Sequence, residues 1–181
     1  DLKGRRIRVS DSPGLRPTPE RAREALFDIL GRDLAGLRVL DAFAGSGALG
    51  FEALSRGAEV AVFLESDRAS AEAIRESARD LGIEGRCVVV VGRAEREVER
   101  GIPRKPFDLV LADPPYADAH AREEFVAALA RATGILSEGA RVAVERESRT
   151  LPVPAPPGLL HARTARYGRT SFDFYLAVPK T

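Results

Sequence analysis

Apolar residues along the chain fall into two alternating kinds of segment. Short, nearly continuous apolar runs occur at 37–43 (LRVLDAF), 59–65 (EVAVFLE), 87–91 (CVVVV), 107–113 (FDLVLAD) and 141–145 (RVAVE). Their length and continuity predict strands of a sheet buried on both faces. Between them the apolar positions keep helical spacing. Ile74, Ala78 and Leu81 stand at i, i+4 and i+7 within 67–82, behind a capping Asp67, and Phe125, Leu129 and Ala132 repeat that spacing within 119–133. Strands alternating with helices predict a parallel sheet covered by helices on both sides. The tail is different: LLHARTARY and TSFDFYLAV, joined around Gly168, predict a β-hairpin. Near the start, Thr18-Pro19 opens a helix to about Leu30, since proline suits the first helical position and holds its predecessor extended, as a cap requires. The preceding KGRRIRVSDSPGLR predicts a strand and a turn, and PVPAPP at 152–157 a loop. No 20–50-residue repeat is present. The expected organisation is a basic extension, 1–17, and one domain, 18–181.

Composition narrows this picture. The chain has 181 residues, 44% of them apolar, enough for one sizeable core, and no run approaches the ~20 residues of a membrane helix. The lone Cys87 excludes a structural disulfide within the chain, reads as a small core residue and favours a reducing, cytoplasmic setting. His120 and His161 are isolated, so no metal site is expected. The net charge of +1 is unevenly spread. Residues 1–23 carry seven Arg and Lys against three acids, and residues 149–181 carry five against one, while 24–148 hold 16 basic and 23 acidic residues. Basic ends around an acidic body suit a polyanion bound on one face, if the fold brings those ends together. Charge alone does not separate that from ordinary solvated surface.

In an open parallel sheet, ligands bind beyond the carboxyl ends of the strands. The first strand runs into DAFAGSGALG, where Gly45, Gly47 and Gly50 fit G-x-G-x-x-G. Glycines there let the backbone turn tightly and approach a ligand. Glu65 ends the next strand, twenty residues after Gly45, where a carboxylate can take two ribose hydroxyls. These features suit a nicotinamide dinucleotide as well as another nucleoside. Asp41 separates the two: a carboxylate so close to the turn repels a pyrophosphate but attracts the ammonium and sulfonium of S-adenosylmethionine, by about 4 kcal/mol for one pair at an effective dielectric near 20. The cofactor-binding set expected from this turn and strand end is Asp41, Ala44, Gly45, Ser46, Gly47, Glu65 and Ser66.

Asp113-Pro114-Pro115-Tyr116 ends that fourth strand. The prolines remove two N–H donors and stiffen the turn, leaving carbonyls for a ligand. A base's exocyclic amine has its lone pair delocalised into the ring, and two acceptors that hold both its hydrogens turn the nitrogen towards a methyl group. The Asp113 carboxylate and the Pro114 carbonyl supply such a pair. Tyr116 can stack on a base that has left its helix, a contact worth about 1–3 kcal/mol.

With these motifs the chain resembles the Class I methyltransferases of the D-P-P-Y, amino-methylating type, and more narrowly the RsmD-like family of bacterial 16S ribosomal RNA guanine-N2 methyltransferases. The resemblance rests on LRPTPERAREALFDIL (15–30), VLDAFAGSGALGFEALSRGA (39–58), DLVLADPPY (108–116) and RYGRTSFDFY (166–175). It implies a Rossmann-like α/β fold, with a seven-stranded, mostly parallel sheet ending in an antiparallel hairpin. It also implies S-adenosylmethionine as cofactor, with Arg93 and Ala94 after the third strand and Asp113 after the fourth completing its site, and ribosomal RNA, or an assembling small subunit, as partner. Arg16 and Thr18 would close over donor or RNA, and Arg5, Arg6 and Arg8 would hold RNA phosphates. Two departures stand out. Arg93 occupies a position where such enzymes often carry an acid against the adenine amine, which leaves adenine to the backbone and Ala94. The start lacks residues that usually precede the basic strand, so part of the RNA-facing extension is expected to be absent. Competing readings remain a DNA adenine-N6 methyltransferase, a nucleotide-binding oxidoreductase and a non-catalytic RNA-binding assembly factor.

Overall fold

The computed structural model of the chain describes residues 20–115 and 118–179. Arg5, Arg6, Arg8, Arg16, Thr18, Tyr116 and the expected boundary after residue 17 lie outside the described residues. The elements are α1 (Glu20–Leu30), β1 (Arg38–Ala42), α2 (Ala48–Ser55), β2 (Val60–Glu65), α3 (Arg68–Leu81), β3 (Cys87–Val91), α4 (Ala94–Arg100), β4 (Phe107–Ala112), α5 (Ala119–Arg131), β5 (Leu136–Glu147), β6 (Leu159–Tyr167) and β7 (Thr170–Ala177). The strands form one sheet in the order β3-β2-β1-β4-β5-β7-β6. β1 to β5 run parallel, while β7 lies antiparallel to both β5 and β6, as the hairpin pattern predicts.

The two-residue period of the strands sorts their side chains into two cores. Val39, Phe63, Leu109, Leu111 and Ala143 face α1, α2 and α3, where Leu26, Phe27, Leu54 and Ile74 cover them. Their neighbours Leu40, Val62, Leu64, Val110 and Val142 face the opposite side, against Val98 of α4 and Phe125 and Leu129 of α5. The continuous apolar runs follow from this, because every strand residue between two helical layers needs an apolar side chain. Each buried Leu, Val or Phe contributes about 1.5–3 kcal/mol from apolar surface removed from water.

Local signals set the helix ends. The Asp67 side chain accepts the Ser70 N–H at 2.8 Å and starts α3, while Gly82, at φ 68°, closes it. Asp118 caps α5 in the same way, accepting the Ala121 N–H at 2.9 Å. Two elements depart from the sequence pattern. α4, AEREVER, buries only Val98 among large apolar residues, so no periodicity reveals it. β5 is far longer than 141–145, because Leu136 pairs with Phe107 ahead of a register shift, carrying the strand through polar residues and Gly139. No helix among the described residues is long and apolar enough to cross a membrane.

β1 and β4 are neighbours in register, and their outward connections diverge to opposite sides of the sheet. A crevice opens at such a reversal of strand order. Gly50 brings α2 against it: a Cβ there would lie 2.3 Å from a Phe63 ring carbon. Ala exceeds Gly in helix propensity by about 1 kcal/mol, yet Gly50→Ala should lower stability by roughly 1–3 kcal/mol through overpacking. Thermal unfolding of Gly50→Ala, Phe63→Leu and the double variant checks this. The double variant should lose less than the sum of the singles, and strict additivity would contradict the contact.

Candidate functional site

The crevice forms a cavity of about 520 Å³ at the carboxyl ends of β1 to β4. Its wall comprises Arg23 of α1, Phe43 to Ser46 after β1, Leu64 to Asp67 at the end of β2, Gly92 to Glu95 after β3, and Asp113 to Pro115 with Asp118 after β4. The β1–α2 loop winds tightly. Phe43, Gly45 and Gly47 all have left-handed backbone, at φ 60°, 55° and 77°. For Phe43 that conformation costs of order 1–3 kcal/mol. Its ring packs edge-on against Phe125, centroids 5.3 Å apart, and Ala44 anchors the turn by donating its N–H to the Leu64 carbonyl at 2.9 Å.

Three carboxylates surround this turn. Asp41 is 1% exposed, and its Oδ2 accepts the Gly50 N–H at 2.8 Å in the first turn of α2. Burial pushes its pKa well above the ordinary carboxylate value; the Gly50 hydrogen bond opposes the shift, and the charges of Asp113 and Glu65 reinforce it. Glu65 accepts the Gly45 N–H at Oε2 and the Asp67 N–H at Oε1, each at 2.7 Å. It therefore shapes the loop, and Oε2 keeps a second lone pair for a hydroxyl donor. Ser66 stands beside it, its Oγ 3.5 Å from Oε1. Asp113 is half-buried, and its N–H reaches the Ala42 carbonyl at 3.3 Å, tying the end of β4 to the end of β1. Pro114 is buried and Pro115 exposed, both on the cavity wall.

The structure thus gathers Asp41, Ala44, Gly45, Ser46, Glu65, Ser66, Arg93, Ala94, Asp113, Pro114 and Pro115 around one space. Gly47 sits behind the turn as the cap of α2, where a Cβ would approach Phe51 to 2.9 Å. The Arg93 side chain is half-exposed and pairs with Glu95 and, at 4.0 Å, with Glu124. Arg23, Phe43, Glu95 and Asp118 also line the cavity, although nothing in the sequence pattern singled them out as site residues. Only the fold brings α1 and the start of α4 to this edge. Among the described residues no cluster of His, Cys, Asp and Glu could hold a metal ion. Burial pushes the Cys87 thiol up to about 12, so it is no nucleophile at neutral pH.

A family model described as Conserved hypothetical protein 95 matches residues 1–176. The chain belongs to this RsmD-like family. It is 37% identical, over 96% of its own length and 85% of the relative's, to the Ribosomal RNA small subunit methyltransferase D of Escherichia coli K12. A solved hypothetical protein of Thermus thermophilus superposes with a TM-score of 0.75 at 30% identity, covering 94% of this chain and 92% of that one. An RNA methyltransferase from Salinibacter ruber, solved with S-adenosyl-L-homocysteine, shares the fold at a TM-score of 0.68 and 14% identity, covering 92% of this chain and 96% of that one.

In this RsmD-like chain the RYGRTSFDFY segment forms the β6–β7 turn, and Thr170 pairs with Glu147 at the carboxyl end of β5. The exposed Arg166 and Arg169 therefore stand at the sheet edge that carries the cavity, as does exposed Arg149. A buried ion pair fixes this corner: Arg146 Nε donates to Asp173 Oδ2 at 2.6 Å, and Nη1 reaches the Glu147 carbonyl at 3.3 Å.

The raised pKa of Asp41 has a stability consequence. A carboxyl that holds its proton more tightly folded than unfolded loses stability as pH rises through the ordinary carboxylate range towards its folded value. Asp41→Asn should therefore raise Tm at pH 7 by a few degrees, each kcal/mol being worth about 2–4 °C for a chain of this size. The difference should vanish below about pH 4, where Asp41 is protonated in both states. Calorimetry across that pH range checks it, and a lower Tm for the variant at pH 7 would contradict it.

Proposed function

We infer that the chain is a ribosomal RNA methyltransferase that takes its methyl group from S-adenosylmethionine and places it on the N2 amine of a guanine in 16S ribosomal RNA, within an assembling 30S subunit. The observation that carries this reading is the juxtaposition of a carboxylate-backed glycine turn at the end of β1 with Asp113-Pro114-Pro115 at the end of the adjacent β4. The names of the relatives support ribosomal RNA as the substrate class. The cavity residues fit the donor. Asp41, Glu65 and Asp113 favour a cation and disfavour a pyrophosphate, which counts against a nicotinamide dinucleotide. Gly47 and Gly50 keep side chains out of the space beneath the turn.

Bound S-adenosylmethionine supplies an electrophilic methyl group. The chain supplies position and charge. Asp41 and the loop from Ala44 to Gly47 hold the charged methionine portion, and Glu65 with Ser66 takes the ribose hydroxyls. The Asp113 carboxylate and the Pro114 carbonyl accept the two N–H groups of the target amine, directing its lone pair at the methyl carbon. Pro115 stiffens the turn, and Tyr116 is assigned the stacking of the extruded base. Arg149, Arg166 and Arg169 hold phosphates beside the mouth, and Arg5, Arg6, Arg8, Arg16 and Thr18 are assigned the same strand of contacts. No step calls for a metal.

The direct test incubates the protein with methyl-labelled S-adenosylmethionine and either 16S ribosomal RNA or small subunits from cells lacking the enzyme. Label should appear in N2-methylguanosine after digestion to nucleosides. Labelled N6-methyladenine from short duplex DNA, with none in RNA guanine, would instead make it a DNA enzyme. Positioning and electrostatics carry the chemistry, so Asp113→Ala should cut turnover roughly 10²–10³-fold even at saturating donor. Replacing Arg166 and Arg169 by Gln should weaken RNA binding and lower its log–log salt slope by about 0.7–0.9 per lost phosphate contact. Filter binding across a salt series checks the count, and an unchanged slope would remove the hairpin from the RNA face.

A further inference from the structure

We propose that Tyr167, at the tip of the β6–β7 hairpin, is a stacking platform for an RNA base other than the one that is methylated. The proposal deepens the reading under Proposed function and rests on its RNA substrate. Tyr167 is 38% exposed, whereas Tyr175 and the phenylalanines among the described residues are buried, apart from the half-buried Phe43. Its ring leans on that of Phe172, with centroids 6.4 Å apart and planes at 57°. Phe172 belongs to the core on the α1 side of the sheet. The ring is therefore supported from the core and still open to solvent. A Cβ on the adjoining Gly168 would meet nothing within 4 Å, so the space beside the ring is free.

The hairpin tip is pinned from below. Ser148, just after β5, donates its N–H to the Arg169 carbonyl at 2.8 Å and its hydroxyl to the Gly168 carbonyl at 3.0 Å. Buried Arg146 holds Ser148 in turn, its Nη1 donating to the Ser148 carbonyl at 3.5 Å while its Nε donates to Asp173. A turn fixed in this way is ordered before any ligand arrives, which lowers the entropic cost of binding there. The surrounding charge indicates the ligand. Residues 148–172 contain four arginines (Arg149, Arg163, Arg166 and Arg169) and no acid, and all four arginines are exposed. An aromatic ring set among arginines suits single-stranded nucleic acid, whose bases stack while its phosphates take the cations. Strand order decides which base. β6 lies three strands from β4, so at about 4.8 Å per strand the ring stands roughly 14 Å from Asp113. That is too far for the target amine, and Tyr167 meets a different nucleotide.

The chain contains no tryptophan, so Tyr167→Trp places a single indole at this position and makes stacking visible as fluorescence quenching. Titration of that variant with 16S ribosomal RNA should quench the indole saturably, whereas inorganic polyphosphate, a polyanion without bases, should not. Filter binding of the same RNA gives the second readout. Tyr167→Ala should bind it about tenfold more weakly than wild type with an unchanged log–log salt slope, because a neutral contact releases no counterion. Tyr167→Phe keeps the ring and should bind close to wild type. The proposal is overturned if Tyr167→Trp binds the RNA without quenching, if polyphosphate quenches equally, or if a folded Tyr167→Ala keeps wild-type affinity. Quenching by small subunits with none by bare 16S ribosomal RNA would assign the ring to a protein partner and also overturn it. Failure of the wild type to bind either RNA or subunits would remove the substrate reading itself, and this inference with it.

Discussion

The hydrogen bond from the Gly50 N–H to the buried Asp41 carboxylate joins everything that matters in this fold. One partner lies in β1, at the centre of the sheet; the other lies in the first turn of α2. The bond spans the glycine turn and holds its two ends together beneath the cavity. It also requires the absence of side chains. Gly50 must lack a Cβ because Phe63 and Asp41 already fill that space, and Gly47 must lack one because Phe51 and Phe63 crowd it. The glycines therefore serve packing against β2 as much as backbone freedom, and the G-x-G-x-x-G spacing records where α2 meets the sheet.

The same carboxylate makes the cavity electrostatically unsatisfied. Asp41 lies under the turn with Glu65 and Asp113 close enough to raise its pKa further. Without a ligand this cluster opposes folding, and a cation relieves it. Stability given up at a site in exchange for a charge that only a ligand neutralises is a common feature of functional pockets. Glu65 is the counterweight: two backbone N–H groups stabilise its charge and lock the loop around it. One acid is strained and the other satisfied, and together they set negative charge at the cavity floor, where the proposed donor carries its cation.

Most of the fold was legible in the sequence because a sheet covered on both faces writes itself as unbroken apolar runs. β1, β2, β3 and β4 lie within one or two residues of those runs, and Asp67 marks the start of α3 by its own side-chain hydrogen bond. Legibility failed where burial is slight or local. α4 buries too few large apolar residues to show a period, and β5 begins in a polar stretch whose pairing to Phe107 is a long-range choice. At the site, Asp41, Gly45, Glu65 and Asp113 were readable because each interrupts, ends or follows an apolar run. Glu95 and Arg23 were not, since one sits in a charged helix and the other arrives from an element distant in sequence. Arg93 drew attention by its neighbourhood, and the structure gives it a different partner, Glu95.

The account turns on the claim that this carboxylate-backed turn takes a cationic methyl donor. Side-by-side calorimetric titration of the protein with S-adenosylmethionine and with NADH at neutral pH tests it most directly. The account predicts saturable one-to-one binding of S-adenosylmethionine and no measurable binding of NADH at the same concentrations. Saturable binding of NADH, with none of S-adenosylmethionine, would contradict it.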